Sequence, residues 1–332
     1  MSHTQTPARA VAPRDAAPGR PAATARRRGS GRETLAGYLF LTPWCIGILL
    51  LTLGPMLVSL YLSFTSYNLF DSPKWVGLRN FQDMFADERW WKSVRVTSVF
   101  VLVATPLKLA VALGVALLLV RPRKGQAFYR SAFYAPSLIG ASVSVGIVWR
   151  ALFSQDAVVD QAGRLFGLHT DGWIGDPDWS MPTLVALSVW QFGAPMVIFL
   201  AGLKQVPREL YEAAEVDGAS AWRRFCSITL PMISPVLFFN LLLEIIHSFQ
   251  VFTSALVIAG PGGGQAGGPG GSLLVYTWYL YDQGFQQLRM GYASAMAWML
   301  LLGIALVTAV LFRTQKLWVH YEEDAAEGTG VR

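Results

Sequence analysis

Six continuously apolar windows, near residues 35–62, 94–120, 131–153, 182–203, 230–259 and 290–312, constrain this 332-residue chain more than anything else in it. At about 1.5 Å per residue, each is long enough for a helix to cross a hydrocarbon core of about 30 Å. Within lipid every backbone N–H and C=O must find a partner inside the segment or inside a closed barrel. Barrel strands alternate over about ten residues, whereas these windows stay apolar for about twenty or more, so a helical bundle is the spanning solution. Composition excludes a soluble domain of this length, with 53% hydrophobic and only 14% charged residues. The expected fold is therefore an all-α membrane protein of six transmembrane helices.

The positive charges orient the bundle, because Lys and Arg are retained on the cytoplasmic side. With the N-terminus inside, the inner segments hold 18 of the 27 basic residues: seven before the first span, Arg121, Arg123, Lys124 and Arg130 between spans two and three, Lys204, Arg208, Arg223 and Arg224 between spans four and five, and Arg313, Lys316 and Arg332 at the end. The outer segments hold eight, several beside acids such as Asp71, Asp83, Asp87 and Asp160, and Lys108 lies within span two. The net charge of +6 is scattered over span ends rather than gathered on one face, which argues against nucleic acid.

Residues 1–32 are rich in Ala, Pro and Arg, hold one acid and show no apolar periodicity, the signature of a disordered tail. Arg26-Arg27-Arg28 reads as a cytoplasmic anchor touching anionic lipid, in preference to a transit or signal peptide, because the window that follows is too long for a signal core. Cys45 lies in span one and Cys226 at the cytoplasmic end of the fourth loop, so neither a disulfide nor a metal site is expected. The glycine-rich segment 260–271 has no Gly-Lys-Ser/Thr after it and no strand before it, so it is not a phosphate-binding loop. It reads equally as a flexible outer docking loop or as a linker. No Walker sequence occurs anywhere, so ATP, if used, is hydrolysed by another polypeptide, and no cofactor is expected on this chain.

Between spans four and five, Glu209 to Glu215 reads as a short amphipathic helix stopped by Gly218, a residue able to take the left-handed conformation. The run Pro207-Arg208-Glu209-Leu210-Tyr211-Glu212-Ala213-Ala214-Glu215-Val216-Asp217-Gly218-Ala219, with Phe225, Ile228, Leu230, Pro231 and Pro235 behind it, resembles the EAA loop of binding-protein-dependent ABC importer permeases of the sugar-uptake branch. Gly77-Leu78-Arg79-Asn80-Phe81, in what reads as an outer turn and short interfacial helix, is similar to the first-type subunit of such permeases. The resemblance covers about residues 33 to 316 and implies a type I importer bundle. It further implies a second permease subunit, a cytoplasmic ABC ATPase dimer, an extracytoplasmic solute-binding protein and a carbohydrate substrate. On that resemblance Glu212, Ala213, Ala214, Asp217 and Gly218 contact the ATPase, and the protein sits in a bacterial inner membrane with both termini in the cytoplasm. The domain reading is a tail over 1–32, the first span and outer loop over 33–93, a core permease domain with the EAA loop over 94–316, and a cytoplasmic tail over 317–332.

Helix five carries Asn240, Glu244, His247, Gln250 and Ser254 within one arc at 100° per residue. Polar groups left in lipid cost several kcal/mol, so the stripe should face the bundle interior or a cavity. With Trp190 and Gln191 of span four, and Phe249 as a stacking face, it is a candidate solute path. Interhelical hydrogen bonding, or a buried Glu244–His247 pair, is the alternative. Lys108 is expected to pair with an acid. The four histidines are scattered, and no nucleophile–base constellation appears, so catalysis is not expected. An ion-coupled secondary transporter with Glu244 and His247 as a relay remains the rival reading.

Overall fold

The computed structural model describes residues 31–121, 124–140, 142–165, 167, 170, 172–260 and 267–319. The chain divides into two units at Pro55. In the first, helix Gly31–Gly47 continues as a π-helical turn over Ile48–Leu53. Leu39, Phe40 and Leu51 are 72%, 85% and 80% exposed there, an apolar surface suited to lipid.

Among the described residues, three helices are long and apolar enough to cross a membrane: Gly37–Ser63, Glu88–Leu119 and Met290–Leu317. Three helix pairs, each interrupted by a short break, fall on the remaining windows, and six spans result when each pair counts as one. The windows at 131–153, 182–203 and 230–259 were expected as unbroken helices, and each is broken. Span three consists of Gln126–Ile139 and a helix from Val143. Span four bends by 45° between Pro177–Trp190 and Gly193–Leu203. There Gly193 lets span three approach, for a Cβ would stand 2.4 Å from the Phe133 carbonyl oxygen. Span five bends by 68° between Ala221–Met232 and Ser234–Phe249. Pro235 in the first turn of the second helix has no N–H to return to the preceding turn.

Window 230–259 breaks a second time. Helix Ser234–Phe249 ends with Gln250 as its cap, and a separate helix, Thr253–Ala259, follows. The Val251 carbonyl is taken by Thr277 Oγ1 instead of a helical N–H, which removes a rung from the ladder at that point. Ser254 is therefore not on one helical arc with Glu244, and Gln250 sits at the cap where that arc ends.

After the first span, strands Thr65–Ser66 and Lys74–Trp75 pair antiparallel and lead into helix Arg79–Ala86. Asn80, buried in that helix, donates from Nδ2 to the carbonyls of Ser63 at 2.8 Å and Thr65 at 2.9 Å, fixing the helix against the end of the first span. Asp87 caps span two by accepting the Arg89 N–H at 2.9 Å. The same carboxylate accepts from Tyr279, and from Tyr292 of span six at 2.8 Å.

Of three apolar clusters among the described residues, two meet along spans two and four. One contains Phe100, Ala104, Leu184, Leu187, Ala255, Ile258 and Trp278. The other contains Leu109, Ala112, Ala116, Met196, Phe199, Leu203 and Ile233. Along span two they meet between Ala104 and Leu109, and along span four between Leu187 and Met196. Polar residues occupy both intervals: Thr105 and Lys108 on the first, Ser188 and Gln191 on the second.

Candidate functional site

A cavity of about 430 Å³ lies at this polar waist. Span two contributes Phe100 and Lys108, span three Ser137, and span four Leu184, Ser188, Gln191, Ala194 and Pro195. Span five contributes Glu244, His247 and Ser248, and the break after it Gln250 to Ser254. The helix interruptions place this wall: because span five stops at Gln250, its last residues turn toward the cavity instead of continuing along the bundle. Irregular backbone at membrane depth is tolerated where it is buried or lines a cavity.

The waist is held by side-chain bonds between spans. Lys108 Nζ donates to Glu244 Oε1 at 2.7 Å, an ion pair whose side chains are 12% and 9% exposed. One turn away on each helix, the Thr105 and Ser248 hydroxyls are 3.0 Å apart. Ser137 Oγ donates to the Gln191 carbonyl at 2.9 Å and accepts the Ala194 N–H at 3.0 Å, tying span three across the break in span four. Gln191 Nε2 donates to the Gly140 and Leu187 carbonyls, each at 3.3 Å.

The structure sorts the expected path residues. Glu244, His247, Gln250 and Gln191 line the cavity, as does Ser254. Asn240 and Trp190 are not in its lining. Asn240 is 3% exposed, and its Nδ2 has no hydrogen-bond partner among the described residues. Trp190 packs against Trp149, with ring centroids 5.6 Å apart, beside the cluster of Phe100 and Leu184. Phe249, expected as a stacking face, is likewise outside the lining, where Phe100 and Phe252 supply the aromatic faces. The ion pair of Glu244 is with Lys108 and not with His247, so the pairing expected of Lys108 is met by the residue first placed in the path. Phe100, Ser137, Ser188 and Thr253 were not singled out in the sequence. Their signal was weak: isolated small polar or aromatic residues in apolar windows, level with Lys108.

The loop between spans four and five folds as the helix Arg208–Val216. Gly218, at φ +73°, ends it. Its N–H reaches the Glu215 carbonyl at 3.0 Å, and the Ala219 N–H reaches that of Ala214 at 2.9 Å, the paired bonds of a Schellman stop. No residue of this helix is fully buried, and Glu212, Ala213, Asp217 and Gly218 are exposed, with Ala214 partly covered. Residues 261–266 of the glycine-rich segment lie outside the described residues, and the docking and linker readings are not distinguished there.

A bundle of interrupted spans around a polar, ion-paired waist is the architecture of a membrane protein that passes a solute. The chain belongs to the family of binding-protein-dependent transport system inner membrane components, whose sequence model matches residues 88–318. It is 47% identical to "Probable ABC transporter permease protein YesP" of Bacillus subtilis strain 168, over 90% of this chain and 96% of that protein. It is 30% identical to the "Probable starch degradation products transport system permease protein AmyD" of Thermoanaerobacterium thermosulfurigenes, over 84% and 94% of the two chains. In fold it is similar to a chain of a bacterial alginate ABC transporter crystallised with its alginate-bound periplasmic protein, with a TM-score of 0.73, 21% identity, and 86% and 95% of the chains covered. It is a multi-pass inner-membrane permease that groups with those of sugar uptake systems.

Proposed function

We propose that the chain is one of two permease subunits of an ATP-driven carbohydrate importer, that the waist cavity is its share of the solute path, and that helix Arg208–Val216 couples it to a cytoplasmic ATPase dimer. The observation that carries this reading is the state of that helix. Its C-terminal stop is fully bonded, yet the face bearing Glu212, Ala213, Asp217 and Gly218 is open, and Val216 is 89% exposed. A short helix whose stop is bonded internally while this face stays open is a surface suited to a partner.

In this reading both termini are cytoplasmic, the tails over 1–32 and 317–332 flank the membrane domain, residues 33–93 supply the first span and outer loop, and residues 94–316 hold the path and the coupling loop. An extracytoplasmic binding protein delivers the sugar from the outer side, as a periplasmic protein accompanies the alginate transporter of similar fold. ATP binding closes the ATPase dimer, the loop helix moves with it, and the bundle exchanges an inward-open for an outward-open arrangement. The waist suits a hydroxyl-rich solute, because Ser, Thr and Gln side chains exchange hydrogen bonds with hydroxyls while Phe100 and Phe252 offer flat apolar faces. The relatives named for starch degradation products and for lactose support a carbohydrate substrate.

The test is uptake by the complete transporter in proteoliposomes with the binding protein outside. Uptake that requires ATP within and persists when proton and sodium gradients are collapsed is the expected result. Uptake that follows an ion gradient without ATP would favour the secondary-transporter reading instead.

A further inference from the structure

Two side-chain contacts join the loop helix to the start of span five. Arg224 Nη1 lies 3.0 Å from Glu215 Oε2, but the Glu215 side chain is 74% exposed, and such a pair contributes little in water. The other is sheltered. The Tyr211 hydroxyl lies 2.9 Å from Thr229 Oγ1. Thr229 is 4% exposed, and Tyr211, Ile228 and Met232 are partly buried against the apolar cluster that holds Leu203, Val206 and Ile233.

The place of this bond matters. Thr229 ends the π-helical turn Phe225–Thr229, and its carbonyl accepts the Ile233 N–H at 3.0 Å, at the point where span five bends by 68°. A π-helical turn within a span is a wide, deformable element that recurs at functional positions. Beyond the bend, helix Ser234–Phe249 carries Glu244 to the waist. The covalent route from the loop helix to the bend passes through Asp217 to Ser220, exposed or partly exposed residues outside any helix. That route turns back on the loop helix through the Gly218 and Ala219 N–H groups, whereas the sheltered Tyr211–Thr229 bond crosses directly from the loop helix to the bend.

We infer that the Tyr211–Thr229 hydrogen bond is the joint through which displacement of the loop helix turns span five about its bend, so that Tyr211 and Thr229 are positioning residues for transport. The inference rests on the coupling reading above and assigns its transmission to one bond. Tyr211 need not touch the ATPase for this, nor Thr229 the solute.

The experiment uses the complete transporter, with Cys45 and Cys226 replaced by Ala and spin labels at Leu102→Cys on span two and Phe239→Cys on span five, both exposed sites. The distance between the labels is read without nucleotide and after trapping with ATP and vanadate. With Tyr211 and Thr229 intact the distance shifts on trapping. Tyr211→Phe and Thr229→Val each reduce the shifted population about five-fold, the double variant reduces it no further, and Thr229→Ser retains it. Complex yield stays level across the series. An unreduced shift in Tyr211→Phe, additive losses in the double variant, or losses that follow yield would overturn the joint. Failure of the coupling reading is distinguishable, because Glu212→Lys would then leave the shift intact as well.

Discussion

Lys108 on span two and Glu244 on span five form an ion pair of 2.7 Å in the wall of the waist cavity, with about a tenth of each side chain exposed. Neither charge is tolerable there without the other. A buried ion pair adds little net stability over an apolar pair of the same shape, but removing one partner strands a charge at a cost of about 3–5 kcal/mol. Lys108→Met or Glu244→Leu alone is therefore expected to lower the yield and melting temperature of the assembled complex, while the double variant recovers most of both. With the pair in the solute path, the recovered double variant still transports about ten-fold less or worse, the loss of hydrogen bonds to charged groups. Normal uptake by the double variant would remove the pair from the path.

Asp87 joins the start of span two, helix Tyr276–Tyr281 and span six through one carboxylate, and this gives a dependence on pH. Burial opposes its ionisation, but hydrogen bonds from the Tyr279 and Tyr292 hydroxyls and from the backbone N–H groups of Arg89 and Trp90 outweigh it and hold the carboxyl below its ordinary 3.8. Burial, with the bond to Asp87, pushes the Tyr279 phenol above its ordinary value, so the tyrosine remains a donor. A carboxyl depressed on folding contributes stability that is complete above its unfolded value and is lost as the pH falls through the folded one. Acidification to about pH 3 is expected to lower the melting temperature of the unsubstituted protein more than that of Asp87→Asn, which keeps the helix cap but not the charge. Parallel melting curves would exclude the carboxylate as the source.

Much of this architecture is legible in the sequence. Apolar windows gave the number of spans, because the lipid requirement for internal backbone bonding leaves one solution. The loop helix and its stop at Gly218 were readable because a left-handed C-terminal glycine has a local cause. The break in span four and the second break in window 230–259 were not, because they depend on tertiary events: Gly193 meeting the Phe133 carbonyl and Thr277 taking the Val251 carbonyl are contacts between distant residues, whereas the 68° bend of span five has a local cause in Pro235. Helical periodicity placed Asn240 on the path face although it lies outside the cavity lining, and the alternative Glu244–His247 pair is not formed, because the partner of Glu244 is 136 residues away. Ser254 reaches the cavity by the break and not by the helical arc, and Gln250 lines it from the cap where that arc ends. Asn80 shows the opposite case, for its place in a family-like sequence has a plain structural cause in the two carbonyls it binds.

Orientation is open to direct labelling. In a Cys45→Ala, Cys226→Ala background, Asp83→Cys on the outer helix is expected to react with a membrane-impermeant thiol reagent in intact cells, and Ser220→Cys beside the loop helix only after lysis. Both positions are exposed, so failure to react reports sidedness and not burial. Labelling of Ser220→Cys in intact cells would invert the topology and remove the loop from the compartment of an ATPase.

Coupling through the loop helix is tested most directly by the ratio of sugar taken up to ATP hydrolysed in the reconstituted transporter, compared among the unsubstituted protein, Glu212→Lys and Gly218→Val. Gly218→Val forces a branched side chain into the φ of +73° that ends the helix, and Glu212→Lys reverses a charge on its open face. Neither touches the waist. The predicted result is that both variants assemble in normal yield while the ratio falls ten-fold or more, roughly the effect of losing 1.4 kcal/mol of coupling. An unchanged ratio in both variants would contradict coupling through this helix.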